Sequence, residues 1–264
     1  MSDTVQTWHH GLVARHWAEK NTDGPEIAYF QRQIETYGQP ALDAGCGTGR
    51  LLIPFLRAGL DVDGCDVSAD MLAYCQQTAE GAGLAPRLYQ QALHELDLPR
   101  QYQTIVACGV FGIGVSREQD FLALQRLYQH LRPGGVLLLE FYLPYEDAEV
   151  WPLWRKGART HLPEPWAADI GKIPEDDREF EMHYRLIVVD PLEQRTVSEM
   201  RTLLFKDKQL VADTTYTITL NQYFRHELRL LLEKAGFKIE AEQGDWTEAA
   251  MTADNDVIVF VARK

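Results

Sequence analysis

The sequence predicts an α/β fold: a seven-stranded, mostly parallel sheet with helices on both faces, plus a small inserted antiparallel sheet. Three observations carry this. From about residue 39 to 142, short apolar runs alternate with helical stretches. Between 179 and 220, three strand-like runs follow one another with only tight turns between them. Two further strand patterns close the chain. Repeated β-α units bury a parallel sheet under helices, whereas runs joined by short turns pair antiparallel.

Taken in order, Trp17 to Tyr37 reads as one helix with Ile27, Phe30, Ile34 and Tyr37 on its apolar face. Residues 41–45 are a buried strand, and 50–59 a helix that Gly59 ends. Pro54 lies near its first turn, where a missing N–H is tolerated. A strand at 60–66 precedes a helix capped by Ser68, with Met71, Leu72 and Cys75 on one face. Strands at 86–92 and 102–110 lead to an amphipathic helix from Glu118 to Leu131. Its stripe is Phe121, Leu122, Leu124, Leu127, Tyr128 and Leu131. Residues 131–135 read as a turn before a fully apolar strand over 136–142.

Residues 143–178 are rich in proline and tryptophan and look irregular, with one short helix. The runs 179–190, 195–206 and 210–220 make the antiparallel sheet. In the last run Leu210, Ala212, Tyr216, Ile218 and Leu220 face one way, and Asp213, Thr215, Thr217 and Thr219 the other. A helix over 221–237, stopped by Gly236, and strands at 237–245 and 256–264 complete the pattern. The domain reading is a helical segment (1–38), a core (39–142 with 221–264) and an insertion (143–220).

A chain of 264 residues, 45% hydrophobic and 25% charged, is long enough for such a core with its insertion. The net charge of −13 argues against nucleic acid as a partner, because counterion release needs a basic face. No apolar run approaches a membrane span and the first residues do not resemble a signal peptide, so a cytoplasmic location is expected. Cys46, Cys65, Cys75 and Cys108 show no C-x-x-C spacing and suggest neither a zinc site nor a disulfide framework.

The chemistry concentrates at Gly45-Cys46-Gly47-Thr48-Gly49-Arg50, on a strand-to-helix turn. Glycines let the backbone approach a ligand, and a helix start offers free N–H groups. A dinucleotide fingerprint wants G-x-G-x-x-G, and Arg50 stands where its third glycine would be. Asp43, two residues before Gly45, would repel a pyrophosphate but attract an ammonium or sulfonium. Asp66 ends the next strand, 17 residues after Gly49, where an acid can accept both ribose hydroxyls.

Asp-Ala-Gly-Cys-Gly-Thr-Gly-Arg followed by Gly-x-Asp-x-Ser-x-x-Met-Leu resembles the class I S-adenosylmethionine-dependent methyltransferases over residues 39–142 and the last two strands. That resemblance implies a Rossmann-like sheet and S-adenosyl-L-methionine as cofactor. It implies Asp43 at the methionine end, Gly45, Cys46, Gly47 and Gly49 in the cofactor loop, and Asp66 on the ribose. Val67 and Met71 would contact adenine. Ala92 stands where the family often has an acid for the adenine amine, leaving backbone around Ala92 and Leu93 for that role. Cys108 and Gly109 would lie near the transferred methyl, with Phe111 beside them. Small-molecule members that look similar carry an inserted sheet over the acceptor pocket. Tyr142, Trp151, Trp154 and Trp166 are therefore candidates to line it, although packing of the insertion onto the core is the more ordinary use of the tryptophans. The sheet is also a candidate homodimer contact.

No general base stands out, since His161, His183 and His226 read as surface or satisfied histidines. The expected reaction is methyl transfer to a small-molecule acceptor by in-line displacement. The alternatives are an NAD-dependent oxidoreductase, against which Asp43 and Arg50 count, and a non-catalytic S-adenosylmethionine-binding module.

Overall fold

A computed structural model describes residues 8–167, 172–175 and 178–264. In chain order the first part holds α1 (Gly11–Lys20), α2 (Pro25–Tyr37), β1 (Ala41–Ala44), α3 (Leu52–Arg57), β2 (Val62–Asp66), α4 (Ala69–Gly81), β3 (Arg87–Gln90), β4 (Tyr102–Ala107), α5 (Arg117–His130) and β5 (Leu131–Tyr142). The insertion supplies β6 (Lys172–Glu175), β7 (Arg178–Asp190), β8 (Arg195–Lys206) and β9 (Gln209–Asn221). Then follow α6 (Arg225–Ala235), β10 (Lys238–Gly244) and β11 (Val257–Arg263).

Seven strands form one sheet in the order β10-β11-β5-β4-β1-β2-β3. The pairs β1–β2, β1–β4, β2–β3 and β4–β5 are parallel, while β11 runs antiparallel to both β5 and β10. Because side chains alternate along a strand, β5 feeds two cores at once. Leu137, Leu139 and Phe141 pack under Leu124 and Leu127 of α5 and Leu228 and Leu232 of α6. Val136 and Leu138 pack with Tyr29, Phe30 and Ile34 of α2 and Leu52 and Phe55 of α3. The strand order reverses between β1 and β4, which opens a crevice at their carboxyl ends.

The insertion is a four-stranded antiparallel sheet in the order β6-β7-β8-β9. It is stitched to the core by the loop after β4. Asn221 N–H donates to the Gly112 carbonyl (2.8 Å), Gly114 N–H donates to the Thr219 carbonyl (2.7 Å), and Ile113 bridges Leu220. Asp120 of α5, 2% exposed, accepts from Tyr223 Oη (2.7 Å), Asn221 Nδ2 (2.8 Å) and Gly112 N–H (3.2 Å).

Several elements differ from the sequence expectation. The single helix over 17–37 is two, broken at Asp23-Gly24-Pro25. A residue before proline avoids the helical region, and Pro25 then starts the new helix at its first position. Residues 131–135 are the irregular start of β5 rather than a separate turn, with a register shift against β4. The strand over 136–142 is not fully apolar: Glu140 sits in it, 1% exposed. Leu122 points out of the α5 stripe at 45% exposure. Strand β6 lies in the stretch expected to be irregular. The alternation along β9 breaks at a bulge opposite Leu204 and Phe205, so Leu210 and Val211 are both exposed. Helix α6 begins only at Arg225, because Asn221 ends β9 and Tyr223 is held by Asp120. Residues 1–7 of the N-terminal segment, and 168–171 and 176–177 of the insertion, lie outside the described residues.

Candidate functional site

The turn after β1 is fixed by its own backbone. Gly45 and Cys46 both donate N–H groups to the Cys65 carbonyl, at 2.8 and 2.9 Å. Gly45, Gly47 and Gly49 all have left-handed φ values, of +80°, +52° and +91°. Their surroundings differ. A Cβ on Gly45 would strike Val110, and one on Gly49 would strike Cys75 and Ile53. A Cβ on Gly47 would meet only the Met71 Cε, at 3.8 Å, so this glycine faces open space. Cys46 is packed in the core against Cys75, and burial with that contact pushes its thiol up, out of reactive range.

Asp66 closes the other side of the loop. Its Oδ2 accepts from Gly47 N–H (2.9 Å) and its Oδ1 from Ser68 N–H (2.8 Å). Each oxygen keeps further acceptor capacity, which suits a vicinal diol. Burial raises the Asp66 carboxyl, and the Ser68, Gly47 and Val67 N–H groups pull it back. Ser68 caps α4 through Met71 N–H and donates its own hydroxyl to the His9 carbonyl (2.7 Å). The segment before α1 is thereby tied to the Asp66 side of the loop. Gly11 N–H adds a bond to Asp70 (2.7 Å), and His9 Nδ1 lies 3.1 Å from Tyr216 Oη on β9. Val67 and Met71 flank this edge, both half-buried. Ala92 caps and Leu93 opens a short 3-10 helix over 93–95, just after β3.

At the opposite end lies a group of buried charges. Asp43 is 2% exposed, and its Oδ2 has no hydrogen-bond partner among the described residues. Burial, then the charge of Asp66, push its carboxyl up to about 7, against one N–H from Leu52. Arg50 forms an ion pair with Glu26 of α2, both buried or nearly so, and its Nη2 reaches Cys108 Sγ at 3.8 Å. Thus the arginine that replaces a dinucleotide glycine clamps α2 onto the loop. The Cys108 thiol and Gly109 N–H in turn donate to Glu140, whose Oε2 has no partner among the described residues. Burial first, then Glu140, raise the Cys108 thiol.

Beyond Tyr142 a cavity of about 250 Å3 opens between the end of β5, residues 143–150, and the inner face of the inserted sheet. Trp154, Tyr184, Leu186 and Leu220 form its apolar walls, and Thr196, Ser198 and Gln222 supply neutral polar groups. Glu146, Asp147, Glu149 and Glu164 line it without a lysine or arginine among the described lining residues. Of the aromatic candidates, Tyr142 and Trp154 reach this cavity. Phe111, 4% exposed, is packed between Phe141 and Tyr223 instead. Trp151 stacks outside among Tyr145, Trp154 and Phe224, and Trp166 lies under the Arg185 and Arg201 guanidinium groups. His183 is satisfied by the Ala167 carbonyl and Glu181, and His161 and His226 are exposed.

Glu26, Glu140 and His9 were not legible as site residues. Glu140 carried a signal, an acid inside an apolar run; Glu26 and His9 carried none, since only the fold brings them to the loop.

Residues 41–135 match a family profile described as a methyltransferase domain. The chain carries a methyltransferase domain on the class I fold. The match runs from β1 to the start of β5. A Geobacillus sp. (strain WCH70) protein described as a methyltransferase is 23% identical over 256 residues, 90% of this chain and 91% of its own. The tRNA 5-carboxymethoxyuridine methyltransferase of Escherichia coli is 35% identical over 102 residues, 38% of this chain and 39% of its own. Among solved structures, an S-adenosylmethionine-dependent methyltransferase from Clostridium acetobutylicum superposes with TM-score 0.71 at 14% identity, covering 95% of this chain and 96% of that one. A sugar N-methyltransferase from a Streptoalloteichus species superposes with TM-score 0.70 at 18% identity, covering 100% and 98%. These last two likenesses extend through the inserted sheet and show a shared fold.

The residues present fit the cofactor. The unpartnered Asp43 oxygen accepts a cation, the open face of Gly47 admits a ligand against the backbone, and Asp66 retains acceptor capacity. Among the described residues no helix is long and apolar enough to cross a membrane.

Proposed function

We propose that the methyltransferase acts on a small-molecule acceptor held in the cavity between Tyr142 and the inserted sheet. The observation that carries this is the cavity itself. It begins at Tyr142, the last residue of the strand that carries Glu140, and its small volume suits a small ligand. Its carboxylates and aromatic faces, with no facing lysine or arginine among the described lining residues, favour an acceptor bearing positive charge.

In this reading Asp43 holds the donor's ammonium, Asp66 its ribose, and Gly45, Cys46, Gly47 and Gly49 shape its seat. Val67, Met71, Ala92 and Leu93 border the adenine, while Cys108 and Gly109 lie near the methyl. The bound donor supplies an electrophilic methyl group for in-line displacement. The protein's own part is to exclude water and align the acceptor. Residues 8–38 cover the donor, supported by the Arg50–Glu26 pair and the Ser68–His9 bond, and the insertion covers the acceptor. Cytoplasmic residence belongs to the same reading, supported by four free thiols. So does a homodimer contact at the far end of the inserted sheet, where Leu210 and Val211 are exposed.

The test is transfer of labelled methyl from the donor into a fractionated extract. Label is expected in the small-molecule fraction; label confined to RNA would overturn the proposal. Alongside it, Asp66→Ala is expected to weaken S-adenosylhomocysteine binding on the order of tenfold or more by calorimetry. An unchanged affinity would remove Asp66 from the ribose site.

A further inference from the structure

We infer that Glu140 is a second carboxylate of the donor site, and that its charge makes the site prefer the sulfonium donor over the neutral thioether product. The inference rests on the placement of the donor's methionine end at Asp43 and Cys108.

A carboxylate inside a central strand is costly unless its charge is answered. Glu140 lies on the same face of the sheet as Leu138, 1% exposed, with a Cys108 thiol and a Gly109 N–H as its donors and one oxygen unpartnered. Burial raises the Glu140 carboxyl; the Arg50 charge acts against this, but Arg50 forms its ion pair with Glu26. Glu26 takes Arg50, while Asp43 and Glu140 each keep a buried oxygen without a partner among the described residues. The register places them along one crevice. Asp43 pairs with Val106 and Val106 with Leu138, so Cys108 and Glu140 stand one step further toward the carboxyl ends on β4 and β5. Both orphaned oxygens thus flank the loop after β4, where the methyl is placed.

Such an excess of negative charge favours a ligand whose ammonium and sulfonium together outweigh its one α-carboxylate. Methyl transfer removes the sulfonium charge and leaves the ammonium. A carboxylate sensing the sulfonium in a poorly solvated site separates donor from product through that one charge. Retention of the spent donor then falls as the product forms.

Calorimetry with S-adenosylmethionine and S-adenosylhomocysteine tests this on wild type, Glu140→Gln and Glu140→Met. Both substitutions are near-isosteric, and the second leaves no amide to satisfy. The preference for donor over product, read as the ratio of their dissociation constants, is expected to fall on the order of tenfold in both variants. Equal weakening of the two ligands would overturn the inference, because a residue that merely supports Gly109, or holds the shared ammonium, acts on both. An unchanged ratio with unchanged affinities would overturn it as well. Thermal unfolding without ligand checks that each variant is folded. Asp43→Asn and Asp66→Ala serve as controls: if they weaken donor binding while Glu140→Gln does nothing, the placement stands and this inference fails. If none of the three matters, the placement itself fails.

Discussion

At the scale of the residue, Asp43 ties the proposed donor site to a pH response. Its carboxyl lies near 7 in the fold, against an ordinary 3.8. The folded state therefore binds this proton more tightly than the unfolded chain does. Stability is untouched below about pH 4, declines as pH rises through about 7, and levels off above it. Asp43→Asn is expected to flatten that decline, and to stabilise the unliganded protein at pH 8 by up to about 4 kcal/mol. Melting temperatures at pH 5 and pH 8 measure it; a variant with the wild-type slope would remove Asp43 from the cause. The same variant should bind the cationic donor more weakly at pH 8. Asp43 and Asp66 were legible in the sequence because they stand at fixed offsets from a glycine loop. Glu140 was hidden in a run of leucines, where an acid has meaning only once burial and the Cys108 contact are known.

Elements show what a motif can and cannot say. The spacing of Gly45, Gly47 and Gly49 marks a strand-to-helix turn, yet it does not say which glycine serves packing and which serves the ligand. Gly49→Ala would place a Cβ 2.7 Å from Cys75 Sγ at φ +91° and is expected to cost roughly 2–3 kcal/mol. Gly47→Ala meets nothing closer than 3.8 Å and should cost only about 1 kcal/mol, for its left-handed φ. Its effect should fall on the ligand, with a drop in S-adenosylhomocysteine affinity on the order of tenfold. Denaturant midpoints and calorimetry together separate the two; equal stability losses would void the distinction. Strands β1, β2, β4 and β11 were legible as apolar runs, and β7 to β9 as runs between turns. The break between α1 and α2 lies before Pro25, and the apolar spacing of Ile27, Phe30 and Ile34 carries no mark of it, because periodicity records a face and not where a helix starts.

For the whole molecule, the question is how the insertion is held over the core. The Asp120 side chain gathers Tyr223, Asn221 and Gly112, joining α5, the loop after β4 and the exit from β9. Arg117 stacks on the Tyr223 ring at 4.5 Å and extends the junction. Asp120→Ala leaves three buried polar groups without their acceptor and is expected to cost on the order of 3 kcal/mol. It should also expose the segment between β5 and β7 to limited proteolysis earlier than the core. Uniform digestion of wild type and variant would show that the junction lies elsewhere. The sequence by itself determined the donor class, the parallel core and the antiparallel insertion. Local periodicity, glycine spacing and two acids at fixed offsets suffice for those. Only the tertiary structure decided that Tyr142 and Trp154, rather than Phe111, Trp151 and Trp166, reach the cavity, and that Glu26 and Glu140 both come within reach of Arg50. Those relations depend on strand order and register, which bring together residues more than a hundred positions apart, and no local pattern records them.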